Sequence, residues 1–239
     1  MGYHVRSMRA EDIPELVSLD RETFPTQWPP TSFKRELSNR MAHYLVVCPE
    51  DEQWRGAANP SEPNQGILRR LIDGIRDSLG KRRAGNNEAP ITQDIAGYVA
   101  FWMMADEAHI TSIAVRTALR GQGVGELLLI AAIDLASKYN ASVMTLEVRE
   151  SNYSAQSLYE KYGFCRVGSR RAYYSDDKED AVIMTTDPIV SQAYWARFQR
   201  LKHDFVLRRG AIVASYVRQQ LLEPRTSQDK TGIRGCCYE

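Results

Sequence analysis

One stretch, Ile110–Gly125, constrains the fold of this chain more than any other. It begins as an apolar, β-branched run, continues through a short polar loop that carries Arg120, and ends with Gly121, Gly123 and Gly125 ahead of a run of helix formers. This order predicts a strand, a turn and the start of a helix. Backbone N–H groups at such a helix start favour a phosphate, although the same pattern also suits a connection that only lets a strand and a helix pack closely.

The length and the charge of the chain fit one domain with additions. A chain of 239 residues can bury a substantial core, and 31 Lys and Arg against 30 Asp and Glu give no overall demand for nucleic acid or an anionic membrane. The spacing of the four cysteines does not match that of metal ligands, and they are too few for a disulfide-rich scaffold. We therefore expect no metal site and cysteines that are reduced; the four are Cys48, Cys165, Cys236 and Cys237. No apolar run is long enough to span a membrane and no leader pattern precedes the first strand, so we expect a cytoplasmic protein.

Hydrophobic periodicity predicts strands and helices in alternation, with hairpins at both ends of the chain. The predicted strands are 3–8, 43–48, 94–103, 107–115, 142–148, 164–168 and 181–185, and the predicted helices are 11–23, 31–37 with Thr31 as its cap, 123–139 and 152–162. Interleaving of this kind, with hairpins, is typical of an α/β protein built on a mixed sheet.

Two regions depart from this core pattern. Residues 49–93 are rich in proline and polar residues, and we expect a flexible insertion in which one amphipathic helix could form. Residues 188–223 predict a helical extension whose second segment includes Ile212–Leu221, and residues 224–239 predict a disordered tail. The extension is basic, so it could contact RNA, although packing on the domain or on a second copy is the simpler interpretation.

Two side chains are candidates for acid–base chemistry. Glu147 ends a predicted strand, where its carboxylate could accept a proton directly or through water, or could instead form a salt bridge with Arg149 or Arg116. Tyr159 follows Asn152 by two helical turns, and its phenol could protonate a departing thiolate or could belong to the core.

Together these segments resemble the GNAT acetyltransferase superfamily and, within it, the RimI-type protein N-terminal acetyltransferases. The resemblance runs from about residue 3 to residue 186 without the insertion. It rests on Arg120–Gly125, which fits the family's pyrophosphate loop Gln/Arg-x-x-Gly-x-Gly/Ala, and on Leu146–Asn152, Asn152–Phe164 and Arg170–Met184. It implies a GNAT fold: a mixed, mostly antiparallel central sheet with splayed middle strands and flanking helices, followed here by the C-terminal helical extension. The domain would then be residues 1–187.

The resemblance also implies an activity and a set of site residues. The family uses acetyl-CoA to acetylate the N-terminal α-amine of proteins by direct attack in a ternary complex, and a ribosomal protein is its best-known target. It implies Glu147 as the base, Tyr159 as the acid, and Trp28 and Tyr173 as substrate contacts. Tyr162 is assigned to packing. The implied cofactor contacts are Ile113, Ala114, Val115, Arg120, Gly121, Gln122, Gly123, Val124, Gly125 and Asn152.

Three other functions stay open at this point. The same fold could acetylate a lysine or a small amine instead of an N-terminus. Glu147 lies about twenty residues after the glycines, where a Rossmann-type methyltransferase would place its ribose-binding acid. A non-catalytic acetyl-CoA sensor is the third alternative. The sequence does not specify the oligomeric state.

Overall fold

The computed structural model describes residues 2–26, 30–49, 95–210 and 212–215. Most of the predicted insertion and all of the predicted tail lie outside these residues. The helices are α1 (Ile13–Thr23), α2 (Phe33–Leu37), α3 (Val124–Lys138), α4 (Tyr153–Lys161) and α5 (Gln192–Arg209). The strands are β1 (Tyr3–Ser7), β2 (Ala42–Pro49), β3 (Gly97–Met104), β4 (Glu107–Val115), β5 (Val143–Arg149), β6 (Phe164–Arg170), β7 (Ala181–Thr186) and β8 (Ile212–Ser215).

The strands form one mixed sheet in the order β6-β7-β5-β4-β3-β2-β1-β8. The pairs β4–β5 and β1–β8 are parallel, and the other pairs are antiparallel. This confirms the expected mixed, mostly antiparallel sheet. It also excludes a Rossmann-type methyltransferase, since that fold needs an open, mostly parallel sheet.

The middle of the sheet opens into a cleft between β4 and β5. Their pairing runs from Glu107 opposite Val143 to Ile110 opposite Leu146 and then stops. Beyond that point β4 stays paired with β3 as far as Val115, while β5 stays paired with β7 as far as Arg149. The carboxyl-terminal halves of the two strands therefore diverge, as the resemblance implied.

Helices cover both faces of the sheet, because residues along the strands alternate between two apolar clusters. In β3, Val99 belongs to the cluster under α3, α4 and α5, whereas its neighbour Tyr98 belongs to the cluster under α1 and α2. Helix α3 is the central one: every residue from Leu127 to Ile133 is buried. Burial of this kind is the main stabilising contribution to the fold, and it fixes α3 and the glycine loop ahead of it.

The C-terminal region is a helix followed by a strand. The predicted helix is confirmed as α5, which packs on the domain through the buried residues Tyr194, Phe198 and Phe205. The second helical segment is wrong over Ile212–Ser215, which form β8 beside β1. The β-branched residues at the start of this segment favour a strand. The strand pairs with the outer edge of β1, whose N–H and C=O groups would otherwise lack backbone partners. The remainder of the predicted extension, residues 216–223, lies outside the described residues.

Two smaller features complete the fold. Helix α2 begins at Phe33, so its cap position is Ser32 and not Thr31 as predicted, and the Ser32 side chain makes no capping hydrogen bond. Among the helices that the structure describes, none is long and apolar enough to cross a bilayer.

Candidate active site

The glycine loop presents unpaired backbone N–H groups at the start of α3. Gly121 and Gly123 have φ angles of +72° and +92°, which favour glycine, and Gly123 is the N-cap of α3 without any side-chain cap. Within the described part of the chain, no acceptor is bonded to the N–H groups of Gly123, Val124, Gly125 and Glu126. Such a row of donors at the positive end of a helix dipole suits a phosphate.

The neighbouring side chains leave this row of donors uncovered. The Nε of Arg120 donates to the carbonyl of Val115 at 3.3 Å, and the rest of its guanidinium faces solvent. The Gln122 amide folds back onto the carbonyl of Ala118 at 3.0 Å. A methyl group on Gly125 would lie 3.7 Å from Val115, an ordinary contact, so packing within the protein does not require glycine at that position.

The wall of the cleft on the β4 side consists of Ile113, Ala114 and Val115. They lie beyond the last pair with β5, so β3 is the single strand that pairs with them in the described structure. The approach of β3 is close: a methyl group on Gly97 would lie 2.6 Å from the carbonyl oxygen of Ala114. A residue larger than glycine would displace the strand that forms this wall.

Glu147 lies at the point where the two strands separate, one residue beyond the last β4–β5 pair. Its Oε2 lies 3.0 Å from Nε2 of His109 on β4, and its Oε1 lies 3.0 Å from a guanidinium nitrogen of Arg170 on β6. The Glu147 side chain is 7% exposed, whereas that of Arg170 is 56% exposed. The carboxylate is therefore nearly buried and held from two sides.

These contacts correct the salt bridges considered for Glu147 from the sequence. Arg149 binds the carboxylates of Asp176, Asp177 and Glu179, and Arg116 binds those of Glu15 and Glu22. Sequence reasoning missed His109, because its approach depends on the register between two strands that are distant in the chain. The alternation of β4 could have indicated that His109 faces away from its buried neighbours Ala108 and Ile110.

Tyr159 is a buried tyrosine whose hydroxyl has no partner in the described structure. The side chain is 9% exposed and lies 5.8 Å from the ring of Phe164. Burial, with a smaller contribution from Tyr174, raises the pKa of Tyr159 well above its ordinary value. The Tyr159 hydroxyl forms no hydrogen bond. Among the described residues, the one side-chain polar atom that is fully buried and also lacks a hydrogen-bond partner is the Thr23 hydroxyl. The Tyr159 hydroxyl is therefore not completely shielded from solvent.

Tyr162 and Asn152 have structural contacts of their own. The Tyr162 side chain is 2% exposed, and its hydroxyl donates to Oε1 of Glu126 at 2.7 Å, so its assignment to packing is confirmed. Asn152 is exposed and precedes α4, where its Oδ1 accepts a hydrogen bond from the N–H of Ala155 at 3.2 Å. It caps the helix and leaves its amide NH₂ available to a ligand.

The loop that carries Tyr173 is joined to the segment that ends at Thr26, two residues before Trp28, the other implied substrate contact. Tyr173 is 46% exposed and packs edge-on against Tyr174 at 5.3 Å. Arg149 lies 3.9 Å from the Tyr174 ring and binds Asp176, which accepts a hydrogen bond from the Thr26 hydroxyl at 2.6 Å. Trp28 lies outside the described residues, but Thr26 connects its loop to the one that carries Tyr173.

Comparison with known proteins agrees with this architecture. The model of the acetyltransferase (GNAT) family matches residues 13–164. A protein of Bacillus subtilis (strain 168), named as a candidate ribosomal protein bS18-alanine N-acetyltransferase, is 34% identical over 181 residues, which cover 75% of this chain and 92% of that protein. An N-alpha-acetyltransferase of Saccharolobus solfataricus is 43% identical over 183 residues, which cover 76% and 91%.

A solved structure extends the agreement to the fold. The crystal structure of the ribosomal-protein-S18-alanine N-acetyltransferase from Escherichia coli superimposes with a TM-score of 0.53 at 24% identity, covering 79% of this chain and 95% of that one. The family match spans more than half of the chain, and the splayed β4–β5 cleft and the glycine loop are both present. The chain belongs to the GNAT acetyltransferase family and is an N-acetyltransferase.

Proposed function

We propose that this enzyme transfers the acetyl group of acetyl-CoA to the N-terminal α-amine of a protein, by direct attack within a ternary complex. The observation that carries the proposal is the nearly buried Glu147 carboxylate at the fork between β4 and β5, within hydrogen-bonding distance of His109. The names of the two relatives support an α-amine as the acceptor, and the name of one supports a ribosomal protein.

Glu147 is the proton acceptor in this proposal. An N-terminal α-amine has a pKa near 8, while a lysine amine has a pKa near 10.4, so a carboxylate is a sufficient base for the α-amine, directly or through one water. Two contacts at 3.0 Å hold the carboxylate, one to His109 and one to Arg170. His109 joins this carboxylate to the cleft strand β4, where its ring is 21% exposed.

Tyr159 is the proton donor to the thiolate that leaves. Because burial raises the pKa of its phenol, the hydroxyl is protonated throughout the pH range in which an α-amine is reactive. The sulfur that leaves is the base that takes this proton, and the ordinary pKa of its thiol is near 8.5.

The cosubstrate would bind along the cleft wall and the glycine loop. The free N–H groups at the start of α3 would hold its diphosphate, and Ile113–Val115 would line the thioester arm. Asn152 and Arg120 each retain donors that could reach the same ligand. Tyr173 and Trp28 would contact the first residues of the acceptor protein.

A pair of matched peptides tests the acceptor. Both carry the same sequence with one lysine: the first has a free α-amine and an acetylated lysine, and the second has an acetylated N-terminus and a free lysine. We expect mass spectrometry to find acetyl transfer to the first peptide, and Glu147→Gln to abolish most of it. Transfer to the lysine peptide alone, or to a polyamine in preference to both, would overturn the proposed acceptor.

A further inference from the structure

Helix α5 brings a cation to the glycine loop. A methyl group on Gly123 would lie 3.2 Å from Nε of Arg209 and 3.5 Å from the ring of Phe205. Phe205 is 3% exposed, so the last turn of α5 is anchored beside the loop. Strand β8 follows and pairs with β1, which fixes the path of the chain on the other side of Arg209.

Arg209 differs from the other cations at this end of α5 in having no carboxylate partner. Glu126 is the acid nearest to the loop in sequence, and it is already bound by Lys161, Arg208 and the Tyr162 hydroxyl. Arg209 forms no ion pair or hydrogen bond with any residue of the described ranges. Burial raises the pKa of Tyr3, and the charge of Arg209 partly offsets that rise.

This exposed guanidinium lies where the protein supplies further positive potential. It lies next to the positive end of the α3 dipole and beside backbone N–H groups that also lack acceptors. The guanidinium and the positive end of the α3 dipole, whose charge resides in those N–H groups, thus meet at one point. An anion bound between them would satisfy the N–H groups, the dipole and the guanidinium together.

We infer that Arg209 is a ligand of the diphosphate of acetyl-CoA, so that α5 completes the cosubstrate site that begins at the glycine loop. This inference rests on the proposed function, because it assigns a residue to the same cosubstrate. The diphosphate is the fitting group, since Arg209 approaches Gly123 itself and the planar guanidinium can bind two phosphate oxygens at once.

The test is calorimetric titration of CoA into the purified full chain. Arg209→Ala should weaken CoA binding about tenfold, the loss expected for one charge-assisted hydrogen-bonding group. Arg209→Lys should give an intermediate affinity. Arg200→Ala is the matched control, because Arg200 is an exposed arginine of the same helix and its removal changes the net charge equally. It should bind CoA as the parent does, and the melting temperature of each variant reports whether it is folded.

The outcomes separate the inference from the function on which it rests. Absence of CoA binding by the parent protein would overturn the proposed function. Binding by the parent with equal affinity in Arg209→Ala, or an equal loss in Arg200→Ala, would overturn the role of Arg209 alone. Dephospho-CoA, which lacks the 3′-phosphate, should show the same tenfold loss on Arg209→Ala. A loss that disappears with dephospho-CoA would instead assign Arg209 to the 3′-phosphate and refute the diphosphate contact.

Discussion

Two tyrosines on or next to one helix, Tyr159 and Tyr162, should respond in opposite ways to loss of their hydroxyls. The Tyr159 hydroxyl has no protein partner in the described structure, whereas the Tyr162 hydroxyl donates to Glu126 at 2.7 Å. Tyr159→Phe should therefore lower the rate and leave stability nearly unchanged. Tyr162→Phe should lower stability and leave the rate nearly unchanged.

The magnitudes follow from these contacts. A hydrogen bond to a charged acceptor contributes about 1.5–3 kcal/mol, and the lower end applies to Tyr162 because Glu126 keeps Lys161 and Arg208 as partners. For a chain of this size such a loss lowers the melting temperature by roughly 3–6 °C. A general acid contributes about 10²–10⁴-fold to the rate, so Tyr159→Phe should lower kcat by that factor while its free energy of unfolding changes by less than about 0.5 kcal/mol.

The assay is release of CoA from acetyl-CoA in the presence of a peptide with a free N-terminus, with thermal unfolding and CoA titration measured on the same samples. The two variants act as controls for each other, because each removes one phenolic oxygen from the same region. If Tyr159→Phe binds CoA and keeps kcat within about threefold of the parent, the assignment of Tyr159 as the acid is refuted. A drop of several degrees in its melting temperature would show that the hydroxyl is structural.

Three further perturbations test the site and its support. Glu147→Gln should lower kcat/KM by about 10²–10⁴-fold without a comparable loss of CoA affinity. The control is Glu150→Gln, which changes a half-exposed carboxylate just past the same strand and should leave kcat/KM near that of the parent. Equal losses in the two variants would argue against Glu147 as the base. Gly123→Ala places a side chain at a residue whose φ is +92°, which costs about 1–2 kcal/mol. Because this strain distorts the loop, the KM for acetyl-CoA should rise. An unchanged KM would argue against the loop as the diphosphate site. Glu15→Ala removes the carboxylate that lies 2.8 Å from Arg116, a residue that is only 5% exposed. Chemical denaturation should show a free energy of unfolding lower by about 3–5 kcal/mol. A loss below about 1 kcal/mol would mean that the other contacts of Arg116 satisfy its charge.

Much of the fold was predictable because local patterns and tertiary packing agree. The strand Glu107–Val115 and the helix that begins after Gly123 occur where periodicity and glycine placement predicted them. The end of the chain was harder: Ile212–Ser215 is a short run that suits either a helix or a strand, and pairing with β1 decides between them. Local propensity could not supply that information, because the partner strand lies at the other end of the sequence.

The candidate site was predictable in its residue types and not in its contacts. Glu147 lies at the fork of the cleft, as its position at the end of a strand suggested, and Tyr159 lies on the helix that follows. The hydrogen-bonding distance to His109 depends on the register of β4 against β5. The contact between Arg209 and the glycine loop depends on how α5 packs, which the sequence pattern of α5 alone does not determine.

The pairing of β8 with β1 also has a consequence for synthesis. Strand β1 has an outer neighbour, β8, that is made more than 200 residues after it, as the register of Tyr3 with Ile212 shows. The part of the chain from β1 to β7 includes the fork and the glycine loop and can assemble before that neighbour exists, but the outer edge of β1 stays unpaired until β8 has been made. During that interval the nascent enzyme exposes a strand edge that could associate with other chains, and pairing with β8 ends the exposure.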